Sequence, residues 1–497
     1  MTLWQVLDDV WQELLNWAPL LLTAFTLVVS ATTIAFVLMT KKDSTSAAAW
    51  CLLVILVPLL GALIYLIFGN QHITRTLERK RLHKQQYRPP TLEMEPDVAE
   101  QAVPPDSSAA RATRDAADNV ALLAQQLGAF EPTAGNQVAF YHEGKPAFDA
   151  MLEAIRGARH HIHFETFIFQ PDETGRMFLD AMTQKAREKV EVRLLYDAMG
   201  SFRLHHWLLH DFRAAGGKSS VFLPLDPFRR RVQINLRNHR KIIVVDGRTG
   251  FVGGLNVGDE YLGKVPRFGF WRDTHLRLEG RAVRDLQRVF VEDWDFAAGE
   301  RLEDRKYFPA ATRDGPYRVQ IIDSGPDREL KAIREMYFAA ILQARKRVWI
   351  ASPYFVPDAG LRDALRLAGF RGVDVRLLGQ YQPDKWIPQF AARYYWREML
   401  EAGVKVYQYT KGMLHAKVVL VDEDWASVGT ANLDNRSLHL NFEVNCLIYS
   451  PTAVTELEAA FQRDLSHSIR LDPAVYLRRP FAGRLLENAC RLLSPIL

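Results

Sequence analysis

The sequence predicts a duplicated α/β body behind an N-terminal pair of transmembrane helices. Three observations carry that prediction. One pattern, H-x-K-x4-D-x6-G-[GT]-x-N, occurs twice, in NHRKIIVVDGRTGFVGGLNVGDE and in MLHAKVVLVDEDWASVGTANLDNRS. A strand, a helix and a second strand come before each copy, and a further strand follows it. Two uncharged apolar runs, Leu20 to Met39 and Ala47 to Phe68, stand near the start of the chain, each long enough to cross a bilayer.

Residues 1–18 place Trp4, Leu7, Trp11, Leu14, Leu15 and Trp17 at helical spacing, with Asp8, Asp9 and Glu13 elsewhere. This predicts an amphipathic helix in the headgroup region, a plain surface helix being the alternative. The stretch does not resemble a signal peptide, because it lacks a basic start and a cleavage site. Only Lys41 to Ser46 separates the two apolar runs, so a tight two-helix hairpin is expected over 19–69. Lys41 and Lys42 lie in its loop, whereas Arg75, Arg79, Lys80, Arg81, Lys84 and Arg88 follow it. That imbalance places the large C-terminal body and the N-terminus on the cytoplasmic side. The same basic segment suits anionic headgroups. Residues 70–118 combine it with a stretch rich in Pro, Ala, Ser and charge without apolar period, which reads as a linker.

The body divides into residues 119–315 and 316–497. HIHFETFIFQPDETG, a helix and VEVRLLYDAMGS in the first half are echoed by RVWIASPYFVPDAG, a helix and VDVRLLGQYQPDKW in the second. A chain of 497 residues accommodates two such units or one large duplicated one. A net charge of +5 and an isoelectric point near 8.9 fit anionic partners without choosing between lipid and nucleic acid. Cys51, Cys446 and Cys490 are too few and too far apart for a disulfide framework or a zinc site. His160, His161 and His163 match no zinc spacing, so no metal is expected. Arg229, Arg230 and Arg231 form either an anion-binding patch or a solvated loop.

The repeated pattern supplies His239, Lys241, Asp246, Gly253, Gly254 and Asn256, then His415, Lys417, Asp422, Gly429, Thr430 and Asn432. Between each histidine and aspartate lies a β-branched apolar run that reads as a buried strand. Alternation puts each histidine and its lysine on one face and turns the aspartate away. Imidazole serves as nucleophile or as acid and base near neutral pH. Lysine charge suits the oxygens of a phosphodiester, and an asparagine amide can donate to phosphate. For Asp246 and Asp422 a strand-end anchor and a direct role are both open. Two carboxylates fall at comparable distances after the motifs, Asp273 in FWRDTHL and Glu443 in LNFEVN.

These paired motifs resemble the phospholipase D superfamily. The segments FVGGLNVGDEY, SGPD, NLDNRSLHLNFE and RLLSPIL, with the membrane run AWCLLVILVPLLGALIYLIFGNQ, are similar to those of bacterial cardiolipin synthases. The resemblance implies a phospholipase D-type fold whose halves face each other across a pseudo-twofold axis. It implies a catalytic set of His239, Lys241, Asp246, His415, Lys417 and Asp422. Lys241, Lys417, Asn256 and Asn432 would hold phosphate. Asp273 would orient His415 and Glu443 would orient His239, a surface ion pair being the alternative for each. The implied reaction joins two phosphatidylglycerol molecules into cardiolipin and glycerol through a phosphatidyl-histidine, with His239 favoured as nucleophile. A hydrolase or a phosphatidylserine-forming transferase would use the same residues. No cofactor, no metal and no nucleic acid are expected. The expected partners are phosphatidylglycerol, other anionic phospholipids and the membrane. The expected location is the bacterial inner membrane, multi-pass, with the catalytic body cytoplasmic.

Overall fold

The computed structural model describes residues 3–41, 44–69, 78, 80–81, 118–224, 235–311 and 315–497. Most of the expected linker, and Arg229 to Arg231, lie outside the described residues. The chain forms two compact units, Met1–Thr74 and Arg75–Leu497.

In the first unit a single helix runs from Leu3 to Thr40. The two segments expected separately, 1–18 and the first apolar run, are therefore continuous. Pro19 removes one backbone donor, and the rest of the region favours helix. Its part Asn16–Thr40 has mean hydropathy 2.2 and the length to cross a membrane. The second apolar run does not form an equivalent helix. It breaks into Ser44–Leu56 and Pro58–Ile64, followed by a wide turn at Tyr65–Gly69. Pro58 is the cause, since its ring collides with the preceding turn and it has no N–H to give. Among the described residues one helix, not two, is long enough to span. The segments still pack together through buried Val37, Ala47 and Tyr65, with the Thr40 and Tyr65 hydroxyls 2.9 Å apart.

The second unit is organised by a sheet of 16 strands. In the first half the strands lie in the order Lys218–Phe222, Glu191–Asp197, His161–Thr166, Ile242–Val245, Thr249–Gly253, Phe270–Glu279. In the second half the order is Lys405–Tyr409, Asp374–Gln380, Arg347–Ala351, Val418–Val421, Trp425–Gly429, Glu443–Tyr449. The two orders are the same, strand for strand. Thr133–Glu143 and Tyr317–Ser324 pair antiparallel in the middle and join the halves. Each motif strand is antiparallel to both neighbours, Ile242–Val245 to His161–Thr166 and Thr249–Gly253, and Val418–Val421 to Arg347–Ala351 and Trp425–Gly429.

Alternation along these strands decides what packs where. Ile242 and Val244 share a core with Val418 and Leu420 of the other half. Ile243 and Val245 face a separate core under the helix Gly144–Gly157 and its neighbours, and Val419 and Val421 face the equivalent one in the second half. The motif strands are thus buried on both sides, which is why they read as unbroken apolar runs.

Asp246 and Asp422 end these strands with φ of 53° and 51°. Asp246 accepts backbone N–H bonds from Arg159, His160 and His161 at 2.8–3.0 Å. Asp422 does the same for Arg345, Lys346 and Arg347 at 2.7–3.2 Å. Of the two readings open for them, these bonds are those of a strand-end anchor. Both carboxylates are consumed in tying the strand end to its neighbour, at the opposite end of the strand from the histidine.

Candidate active site

The backbone brings the two motifs together before any side chain does. The His239 N–H donates to Phe442 O at 2.9 Å, and the His415 N–H donates to Arg272 O at 2.7 Å. Each histidine is thereby clamped beside the residue that precedes the other half's carboxylate. The short strand Gly412–Leu414 leaves its own half to pair in parallel with Phe270–Glu279. The result is a crossed pair of dyads. His239 Nδ1 lies 3.0 Å from both carboxylate oxygens of Glu443. His415 Nδ1 lies 2.7 Å from Asp273 Oδ2. With Nδ1 committed to a carboxylate, each ring presents Nε2 for chemistry.

The lysines accompany their histidines as alternation requires. Lys241 Nζ donates to the His239 carbonyl at 2.6 Å, and Lys417 Nζ donates to the His415 carbonyl. Lys417 Nζ is also 3.0 Å from His415 Nδ1. A nitrogen that gives its proton to Asp273 cannot also accept one, so that last approach is proximity rather than a bond. All four groups are buried.

Burial of like charges shows in their protonation. Desolvation, then Lys241 and Lys417, hold His239 well below the usual imidazole range. Desolvation and Lys417 bring His415 down to about 4, against the pull of Asp273. Lys241 falls to about 7 and Lys417 to about 8, again chiefly through burial. Desolvation is the largest cause in all four groups, and an anion placed among them would push each pKa back upward.

Asn256 and Asn432 differ. The Asn256 amide donates to Tyr261 Oη at 2.8 Å and its Oδ1 accepts from the Ile168 N–H at 3.2 Å. Asn432 Oδ1 is buried without a hydrogen-bond partner, and the residue lines a cavity of about 400 Å³. That cavity opens on His239 and is bordered by Phe167, Tyr354, Arg237, Lys385 and Arg436. It falls within the ~300–1,000 Å³ of small-ligand sites.

Several of these groups escape sequence reasoning. Arg237, Lys385 and Arg436 are not among the positions that the two copies of the pattern share, so the repeat does not mark them. Arg240, between His239 and Lys241, points to the opposite face. It donates to Asp293 at 2.5 Å, to Asp323 at 2.9 Å and to the Glu443 carbonyl at 3.2 Å. Glu165 accepts from Asn238 at 2.5 Å in the same buried cluster. A charge inside the apolar strand HIHFET was the available signal for Glu165. Lys80 also reaches this cluster, buried against Asp293 and 4.0 Å over the Phe442 ring. Of the basic segment assigned to lipid headgroups, Lys80 therefore belongs to the body instead. His161 and His163 lie in a buried aromatic stack, His163 4.5 Å from the Phe290 ring.

A sheet duplicated strand for strand, with motif histidines braced across the repeat, is the architecture of the phospholipase D superfamily. Within it the chain belongs to the cardiolipin synthase family. The family model "Cardiolipin synthase, PLD-like domain" matches residues 151–294 and 337–465, and a phospholipase D-nuclease N-terminal model matches 28–70. The chain is 42% identical to a cardiolipin synthase of Geobacillus thermodenitrificans, over 97% of this chain and 95% of the relative. It is 39% identical to the major cardiolipin synthase of Bacillus subtilis, over 97% of this chain and 99% of the relative. Among solved structures, phosphatidylserine synthase of Haemophilus influenzae superposes with a TM-score of 0.57 at 18% identity, covering 78% of this chain and 100% of that one. That likeness concerns the fold. The chain is an enzyme of phospholipid synthesis, and its N-terminal apolar helix associates it with the membrane.

Proposed function

We propose that the protein forms cardiolipin and glycerol from two molecules of phosphatidylglycerol, by two successive displacements at one phosphorus. The observation that carries this reading is the crossed pair of dyads, which presents two Nε2 atoms beside two buried lysines. His239 Nε2 attacks the phosphorus of the first phosphatidylglycerol, and the P–O bond to its headgroup glycerol breaks. His415, protonated at Nε2, gives that proton to the departing alkoxide. The hydroxyl of a second phosphatidylglycerol then loses its proton to His415 and attacks the phosphatidyl-histidine. The P–N bond breaks and both imidazoles return to their starting state. One phosphodiester replaces another, so the exchange needs no nucleotide.

His239 is assigned as nucleophile because the cavity opens on it. Lys241, Lys417 and Asn432 hold the phosphoryl oxygens as charge gathers there. Asn256, with one amide proton committed to Tyr261, has its second for the same task. Asp273 and Glu443 hold the tautomer and stabilise the imidazolium. The enzyme sits in the bacterial inner membrane with both apolar runs inserted and the body facing the cytoplasm. The excess of basic residues after the second run supports that side.

Purified protein incubated with labelled phosphatidylglycerol alone should yield cardiolipin and glycerol in equal amounts. Phosphatidic acid as the sole product would make it a hydrolase instead. Protease added to inside-out membrane vesicles should digest the body; protection there would reverse the orientation.

A further inference from the structure

The C-terminal helix Phe481–Arg491 is inside out. In an ordinary surface helix of this body, Gly144–Gly157, the apolar residues Phe148, Met151, Leu152 and Ile155 face the core. In Phe481–Arg491 the buried residues are Glu487 and Cys490. The apolar residues face out: Phe481 is 70% exposed, Leu485 59% and Leu492, just beyond the helix, 74%. At 100° per residue Phe481, Leu485, Leu486, Ala489, Leu492 and Leu493 share one arc of about 140°. Scattered exposed leucines are ordinary, but a continuous arc along one helix is not.

The polar side is what fastens the helix to the body. Arg479 grips Glu487 with two bonds of 2.5 and 2.9 Å and stacks 3.5 Å over the Tyr476 ring. Arg491 lies 4.3 Å over the Tyr394 ring, and Tyr395 donates to Ser494 at 3.0 Å. The inverted orientation is therefore built in, with the apolar arc held outward by specific contacts.

We infer that this arc is a second membrane contact of the enzyme, lying in the interface of a bilayer that contains anionic phospholipid. Eleven residues are too few to span, since crossing takes about 20. They suffice to lie in the plane with the apolar side in the acyl region. Arg484, beside the arc, and exposed Arg478, just ahead of the helix, complement anionic headgroups. The same segment ends at Leu497, which lines the cavity that opens on His239 and gives its carbonyl to the Arg436 N–H at 2.7 Å. A helix seated in the headgroup layer thus holds the cavity where a lipid can offer its phosphate while its chains remain in the bilayer. This rests on the proposed lipid substrate only for its purpose; the contact itself is read without activity.

The test uses the full chain reconstituted in vesicles of phosphatidylglycerol and phosphatidylethanolamine, with p-benzoylphenylalanine in place of Leu485. Irradiation should attach acyl-labelled lipid to the protein. The same photoprobe in place of Glu188, just ahead of the strand whose other end leads to Met199 at the cavity, should attach none. Crosslinking of Leu485 to a second copy of the chain, or to no lipid, overturns the inference. In a second arm, Leu485→Ser with Leu492→Ser should lower turnover of vesicle substrate by roughly tenfold or more. Turnover of a short-chain phosphatidylglycerol dissolved as monomers should stay within about twofold, since neither side chain supports the core. Equal loss on both substrates, or loss on neither, also overturns it.

Discussion

The two dyads place the same imidazole geometry by different means. Asp273 reaches His415 with a short side chain, held by the Thr274 N–H at 2.8 Å and by Trp271 Nε1 at 3.4 Å. It occupies the space that a side chain at 254 would need: a Cβ on Gly254 would sit 1.9 Å from Asp273 Oδ1. Glu443 is one methylene longer, and the matching position carries Thr430, whose hydroxyl donates to Glu443 Oε2 at 2.5 Å. Asn441 adds a second donor at 3.3 Å. The choice between glycine and threonine in the repeated pattern is thus tied to the carboxylate that comes after it. The electrostatics separate as well. Burial lifts Glu443 to about 7, and Lys241 and Thr430 offset it only in part. Burial also lifts Asp273, but the charges of His415 and Lys417 outweigh it and hold it below the usual carboxylate range. A repeat that looks symmetric in sequence therefore supplies one carboxylate held ionised and one lifted toward neutrality, which suits the division of labour proposed for the two histidines.

Removing either histidine tests that division most severely. His239→Ala and His415→Ala should each lower cardiolipin formation by about 10⁴-fold or more with the fold retained. Single-turnover reactions with labelled lipid should show no adduct in His239→Ala; an adduct there would exchange the two roles.

The carboxylates come next. Glu443→Gln should slow adduct formation and Asp273→Asn the proton transfers, each by about 10²–10⁴-fold. If Glu443→Gln leaves adduct formation intact, the crossed pairing does not serve the chemistry. Gly254→Thr should be as damaging as Asp273→Asn, because the added Cβ displaces that carboxylate. Thr430→Gly, the reverse exchange, should cost far less.

Thr430→Val isolates the bracing hydroxyl. Losing a bond to a charged acceptor costs about 1.5–3 kcal/mol, or roughly 10–100-fold in rate. The loss should fall on kcat; an effect confined to KM would place Thr430 in substrate binding instead.

The smallest effect is the pH profile. Lys417 must be charged to hold phosphate, and its pKa is lowered to about 8, so the charge is lost as pH rises through that value. Lys241, in the same role, loses its charge from about pH 7, so kcat/KM should fall from about pH 7 and more steeply, toward roughly a hundredfold per unit, above about pH 8. The kcat limb should lie at higher pH, because bound phosphate stabilises the ammonium. A flat profile to pH 10 would mean that Lys417 remains charged in the free enzyme.

Much of this architecture was legible beforehand. The strand order repeats because the apolar runs repeat, and alternation alone put His239 with Lys241 and His415 with Lys417. The single long N-terminal helix and the break at Pro58 were less legible. Both are local outcomes of proline, one tolerated and one decisive, and hydropathy averages over them. Arg240 and Lys80 were illegible for another reason. Their buried partners, Asp293 and Asp323, lie tens to hundreds of residues away in the chain.

What the sequence by itself determined is the local half of the site: strand, parity, the histidine and lysine on one face, and the aspartate turned to the other. Period-two side-chain alternation settles those without reference to the rest of the chain. Only the tertiary structure decided which carboxylate meets which histidine, which asparagine keeps an unpartnered oxygen, and that the last helix turns its apolar side outward. These depend on contacts between residues as far apart as Asp273 and His415, and on desolvation, which exists only once both halves have closed around the same groups.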